Sequence, residues 1–166
     1  YLYERGKGKA EEIVVETESG LKKVKLFARG GKAHSAMVDM GAPQLAPEKI
    51  PVALDGDSVI GRRVECGKES RVINCVSMGN PHCVLFTDNV TIADVEGVGK
   101  AVENDKLFPR RVNVEFVQVV DRTHLKMRVW ERGSGETYAC GTGACAAVVA
   151  AVLNGYCDKN TDVVVR

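Results

Sequence analysis

The sequence predicts an α+β fold: an antiparallel sheet curled into a barrel-like layer around one central, buried helix. Three observations carry this. Short runs rich in Val, Ile and other strand formers recur along most of the chain, separated by Gly, Pro, Asn and Asp. Only one amphipathic segment has helical spacing. Residues 144–153, ACAAVVAAVL, then hold ten positions without a polar side chain. That run falls short of the roughly 18 residues a membrane span needs. It is apolar on every face, so it reads as a fully buried helix.

The elements follow in order. EIVVETE at 12–18 meets LKKVKLFA at 21–28 across Ser19-Gly20, a hairpin turn. A third run, 35–40, follows Gly30-Gly31. Gly41-Ala42-Pro43, Pro47 and Pro51 then place three of the five prolines in one short stretch. Proline fixes φ and removes a donor, so this stretch reads as a domain crossing. It separates residues 1–42, strands of a partial first domain, from a second domain at 43–166. Beyond it, 59–66, 71–77 and 82–87 read as strands. Residues 94–104 read as a helix, with Val95, Val98 and Val102 on one face. Residues 113–120 and 123–132 form an antiparallel pair about Asp121-Arg122. In the second of these, Leu125, Met127 and Val129 alternate with Lys126, Arg128 and Trp130, the period of a half-buried strand. Asn154-Gly155 stops the apolar helix. No internal repeat or low-complexity tract is present.

Composition excludes several function classes. In 166 residues, 23 Lys+Arg face 22 Asp+Glu, a net charge of +1, which provides no electrostatic grip on nucleic acid. No membrane partner is expected, since no apolar run is long enough to span one. Tyr1-Leu2-Tyr3-Glu4-Arg5 carries no apolar signal core, and without an initiating Met the chain reads as cut from something longer. The six cysteines, Cys66, Cys75, Cys83, Cys140, Cys145 and Cys157, contain no C-x-x-C pair. No metal site is expected, and reduced thiols in a cytoplasmic protein are the default.

The chemistry concentrates in ERGSGETYACGTGAC, residues 131–145. Cys140 precedes Gly141-Thr142-Gly143, which open the apolar helix. The first N–H groups of a helix lack internal partners and carry partial positive charge. Glycines there admit an anion. A thiol at this place is expected to have a lowered pKa, with a carboxylate bound beside the sulfur. Three readings follow: a nucleophile, an acid–base group acting on the proton α to a carboxylate, or a buried cysteine capping a core helix. A nucleophile wants a His, and His34, His82 and His124 are available. In SMGNPHC, residues 77–83, Asn80 serves a tight turn or a site, His82 is a candidate or a satisfied core histidine, and Cys83 is core. Asn113 opens a strand in RRVNVEF. Arg132, beside Glu131, is either half of a surface ion pair or a fork for a carboxylate.

Taken in order, VDMGAP, SMGNPHCV, RRVNVEF and WERGSGETYACGTGACAA resemble the diaminopimelate epimerase family over essentially the whole chain. The resemblance implies a cofactor-independent epimerase that interconverts LL- and meso-diaminopimelate, with two α/β halves around a cleft. It implies two cysteines on opposite faces of the substrate α-carbon, one a thiolate base and the other a thiol acid. Cys140 matches the second-half cysteine. Gly141 and Thr142 match the backbone donors to the α-carboxylate. Asn80, Asn113 and Arg132 match side chains at the distal end of the substrate. Glu131 matches a substrate contact that helps set thiol protonation, and His82 a histidine that tunes the cysteine pair. YLYERG resembles a helix tail of the family's first half. The family's upstream motif M-C-G-N-G-x-R has no counterpart here. The chain is therefore expected to supply one of the two cysteines, to need the first half of the same enzyme as partner, and to be inactive alone. The family is usually homodimeric. The alternatives are a sister racemase acting on proline or hydroxyproline, or a non-catalytic domain of the same fold.

Overall fold

A computed structural model describes residues 3–6, 11–17 and 20–165, which form two compact units, Tyr1–Gly41 and Ala42–Arg166. The first unit is a three-stranded antiparallel meander of β1 (Glu12–Thr17), β2 (Gly20–Arg29) and β3 (Lys32–Val38). Its first hairpin runs from Glu12 opposite Lys25 to Thr17 opposite Gly20. Ser19, expected in that turn, lies outside the described residues. Gly30 and Gly31 both have positive φ, 59° and 76°. That is the two-residue turn whose twist matches a hairpin, and it explains the Gly-Gly pair. Where a helix tail was expected, residues 3–6 make a turn, with Gly6 N–H donating to Tyr3 O at 3.1 Å. Tyr1 and Leu2 lie outside the described residues.

The second unit is a seven-stranded sheet with two helices. In chain order it contains β4 (Arg62–Cys66), β5 (Glu69–Ser77), β6 (Pro81–Phe86), α1 (Val95–Glu103), β7 (Asn113–Asp121), β8 (His124–Glu131), β9 (Gly135–Thr137), α2 (Gly141–Leu153) and β10 (Asp162–Val165). The spatial order is β10-β8-β7-β6-β5-β4, with β9 added to β8. The sheet is mixed, not antiparallel as expected, because β6 pairs parallel with β7 and β10 parallel with β8. The β6–α1–β7 crossover explains the first: parallel neighbours need a long connection, and a helix supplies it. Nor is there a closed barrel among the described residues: β4 and β10 end the strand order unpaired to one another.

The central strands are buried on both faces, so they read as near-continuous apolar runs. Alternation along them separates two sides. Ile73, Cys75, Cys83, Leu85, Val114 and Phe116 face a core shared with Val95 and Val102 of α1. Asn74, His82, Asn113, Glu115 and Val117 take the opposite parity and face α2, which packs against β5, β6, β7, β8 and β10. Helix α1 spans the expected segment, capped by the Asp94 side chain on Gly97 N–H. Helix α2 is not fully buried as its composition predicted. It buries Gly143, Ala146, Ala147, Ala150 and Ala151 against the sheet, leaves the alternate valines half-buried, and exposes Leu153. A helix lying on one side of a sheet has one covered stripe, whatever its composition. Among the described residues no helix is long and apolar enough to cross a membrane.

Candidate active site

The site grows from the N-terminus of α2. Cys140 is its N-cap, in extended conformation at φ −143° and ψ 100°, and its Sγ accepts from Gly143 N–H at 3.3 Å. Sulfur thus takes the role that Ser or Asp usually fills at this position. Helix geometry leaves the N–H groups of Gly141 and Thr142 without intrahelical partners beside it. The Thr142 hydroxyl lies 3.6 Å from Sγ and accepts from Asn80 Nδ2 at 3.2 Å. Asn80 Oδ1 lies 3.0 Å from His82 Nε2, and His82 Nδ1 lies 2.6 Å from Glu115 Oε1. The turn between β5 and β6, the first turn of α2 and the middle of β7 are thereby joined by side chains.

Gly143 makes this possible. A Cβ at that position would stand 2.8 Å from Glu115 Oε1 and 3.1 Å from Cys140 Sγ. Its lack of a side chain serves close approach here, in ordinary helical backbone.

The structure corrects one expectation about Cys140. Its thiol pKa is raised, not lowered: burial dominates, and the Glu115 and Glu131 carboxylates push the same way. The hydrogen bonds from Thr142 and Gly143 pull it down and are outweighed. The helix terminus is one influence among several, and desolvation of the charged form is larger.

The remaining predicted residues surround this chain of contacts. Asn113 is buried with its amide fully used, Nδ2 donating to Pro81 O at 3.0 Å and Oδ1 accepting from Arg132 N–H at 2.9 Å. It ties the β5–β6 turn to the β8–β9 loop. Arg132 is exposed, and its Nη1 donates to Arg110 O at 3.2 Å. Glu131 is half-buried and accepts from the Thr137 hydroxyl at 2.5 Å. Cys66, Cys75 and Cys83 are all fully buried, Cys75 and Cys83 on the sheet face opposite His82 and Glu115. None is placed to stand in for a second thiol at Cys140. His34 belongs to β3 in the first unit, and His124 is the exposed first residue of β8.

Two residues at the site were not singled out from sequence. Glu115 is the partner of His82. Its signal was a lone carboxylate inside VNVEFVQVV, two positions from Asn113 and therefore on the same face. Glu103, at the end of α1, accepts from Trp130 Nε1 at 2.7 Å and from Gly133 N–H at 2.8 Å, and so pins the loop that carries Arg132. No local signal marks it. One donor of each of His82, Glu115 and Cys140 lies within 4.8 Å of the others, the spacing of a candidate metal set. Both His82 ring nitrogens are already engaged, so the set reads as a hydrogen-bonded relay.

The family model for diaminopimelate epimerase matches residues 74–166, which contain every predicted site residue. The diaminopimelate epimerase of Moorella thermoacetica is 52% identical over 163 residues, 98% of this chain and 58% of the relative. That of Acetivibrio thermocellus is 52% identical over 164 residues, again 98% and 58%. The chain therefore spans a little over half the length of these curated relatives. Among solved structures, a probable proline racemase from Agrobacterium radiobacter superposes with a TM-score of 0.66 at 14% identity, covering 99% of this chain and 53% of that one. A hydroxyproline epimerase from Agrobacterium vitis, with bound trans-4-hydroxy-L-proline, gives 0.62 at 17%, covering 93% and 49%. At such identity the likeness concerns the fold alone. With the family model matching more than half its length, the chain belongs to the diaminopimelate epimerase family.

Proposed function

We propose that this chain provides one acid–base half of an enzyme that interconverts LL- and meso-diaminopimelate. Cys140 is one of its two thiols. The observation that carries the reading is Cys140 as N-cap of α2, half-buried beside first-turn N–H groups that helix geometry leaves without partners inside the helix. In the proposed step the substrate α-carboxylate lies on the Gly141 and Thr142 N–H groups. The α-proton leaves to Cys140 as thiolate or arrives from it as thiol. The helix terminus stabilises the enolate-like charge that develops between the two events. Inversion requires a second group on the opposite face, which we assign to the first half of the whole enzyme. Arg132 and Asn80 meet the distal end of the substrate. Asn113, its amide committed to Pro81 and Arg132, acts by holding that loop. No cofactor is invoked. Curling of the sheet about α2, a homodimeric assembly and a cytoplasmic location belong to the same proposal.

The test is α-proton exchange followed by NMR in deuterated water with LL-diaminopimelate. The chain is measured alone, and then with the complementary N-terminal segment of the Moorella thermoacetica relative. No inversion alone and Cys140-dependent inversion with the segment are expected. Meso product from the chain alone sinks the divided site, and equal rates from Cys140→Ala sink the role of Cys140. Proline in place of diaminopimelate separates the sister racemase.

A further inference from the structure

Glu115 has no part in the step just described, yet it is fully buried, and its Oε2 has no hydrogen-bond partner among the described residues. A half-satisfied buried carboxylate costs stability, and an apolar residue would pack β7 better. The position therefore needs a chemical reason, and two contacts supply it. One is the chain of hydrogen bonds from Glu115 Oε1 through His82 and Asn80 to the Thr142 hydroxyl beside Cys140 Sγ. The other is direct. Glu115 Oε1 and Cys140 Sγ approach the same face of Gly143, where a Cβ would lie within 2.8 and 3.1 Å of them.

We propose that Glu115 is a positioning residue for Cys140: through His82 and Asn80 it holds the Thr142 hydroxyl on the sulfur, and its carboxylate beside the thiol keeps Cys140 in the protonated, proton-donating form. The charged and titratable groups facing the sulfur are Glu115 from β7, His82 from β6 and Glu131 from β8. The first turn of α2 adds no acidic side chain. Burial and the two carboxylates all disfavour the thiolate. In a reaction that needs one thiol and one thiolate across the α-carbon, such a bias sets which cysteine is the acid in the resting enzyme. The proposal rests on Cys140 as an acid–base group, but it is tested on the thiol itself.

The experiment measures iodoacetamide alkylation of Cys140 against pH in the full 166-residue chain. Fragment-ion mass spectrometry separates Cys140 from Cys145. Glu115→Gln is expected to move the midpoint to lower pH and to speed alkylation at pH 7, the direction that removing an acid beside a desolvated thiol predicts. Thr142→Val, which cuts the chain at the sulfur, is expected to move it to higher pH. A folded Glu115→Gln variant whose profile superposes on the wild type overturns the proposal. If that variant does not fold, Asn80→Ala, which parts His82 from Thr142 and leaves the Thr142 hydroxyl in place, decides: an upward midpoint supports the chain and an unmoved one overturns it. Failure of the epimerase reading would appear in the exchange assay and leave these profiles unchanged.

Discussion

Replacing Gly143 by Ala should destabilise the protein, although Gly→Ala inside a helix ordinarily stabilises it. The usual gain is about 1 kcal/mol from helix propensity and lost unfolded-state freedom. Here the new Cβ would stand 2.8 Å from Glu115 Oε1, below the contact distance of any real Cβ, and 3.1 Å from Cys140 Sγ. Glu115 has nowhere to retreat. Its side chain is fully buried, and Oε1 is held 2.6 Å from His82 Nδ1, itself fully buried. Relief must come from stretching that pair or lifting α2 from β7. Overpacking of this kind costs roughly 2–3 kcal/mol, which leaves a net loss of about 1–2 kcal/mol. In a domain of this size that lowers Tm by roughly 3–8 °C. Urea unfolding followed through Trp130 fluorescence, with calorimetry alongside, measures it. The same methyl group shields Sγ, so Cys140 should also alkylate more slowly. A Gly143→Ala variant as stable as wild type or more so would refute the close approach of Glu115, Gly143 and Cys140 on which the site description rests.

Two further perturbations read other parts of the fold. Gly99→Ala puts a Cβ 2.6 Å from Trp130 Cβ and 2.7 Å from its Cγ. Those atoms are rooted in β8 and cannot swing aside, so the loss should reach about 3 kcal/mol and exceed that of Gly143→Ala in parallel urea titrations. At the β7–β8 turn, the carboxylate of Asp121 raises the pKa of His124, chiefly by hydrogen bonding, while Asp121 itself is pulled down to about 2, first by the Thr123 backbone N–H and then by His124. A raised histidine stabilises the fold below its unfolded value near 6.5 and loses that contribution as pH rises through its folded value. A depressed carboxylate stabilises above its unfolded value near 3.9 and loses that contribution as pH falls toward 2. The turn is therefore tightest between about pH 4 and 6.5. NMR titration should place His124 above its ordinary value and return it toward that value in Asp121→Asn. An unchanged midpoint in the variant would remove the pair.

What the sequence disclosed and what it hid follow from range of interaction. The hairpins were legible because their signals are local: alternation in 124–131, Gly-Gly between β2 and β3, Asp94 and Asn154 at helix ends. Strand β10 went unread because its partner, β8, lies far upstream and pairs in parallel, with Asp162 opposite His124. No turn between them announces the register. The mixed sheet was in fact visible, since strand, helix and strand at 81–86, 95–103 and 113–121 spell a parallel crossover. The clean antiparallel pair that follows obscured it. Cys140 was found from its own neighbourhood, but the sign of its pKa shift was not. Burial and two carboxylates from β7 and β8 decide that sign, and none of the three is a local property of residues 138–145.

The polar side chains buried in the second unit explain how a half-open sheet can hold a site. His82, Glu103, Asn113 and Glu115 all have at most 5% of their surface exposed, and each makes a side-chain hydrogen bond to an element other than its own. Glu103 reaches from α1 to the β8–β9 loop, Asn113 from β7 to both the β5–β6 turn and that loop, and His82 and Glu115 bridge β6 and β7 beneath α2. Apolar packing would hold these elements as firmly, but it would leave the loops free to slide, because dispersion contacts have no direction. Hydrogen bonds from buried donors and acceptors have direction, and breaking one leaves a desolvated partner at a cost of about 1–3 kcal/mol. The loops bearing Asn80 and Arg132 are thus fixed relative to Cys140 by buried groups that lie behind them. Variants of Glu103 and Glu115 should accordingly separate stability from site geometry in ways that variants of the surrounding valines cannot.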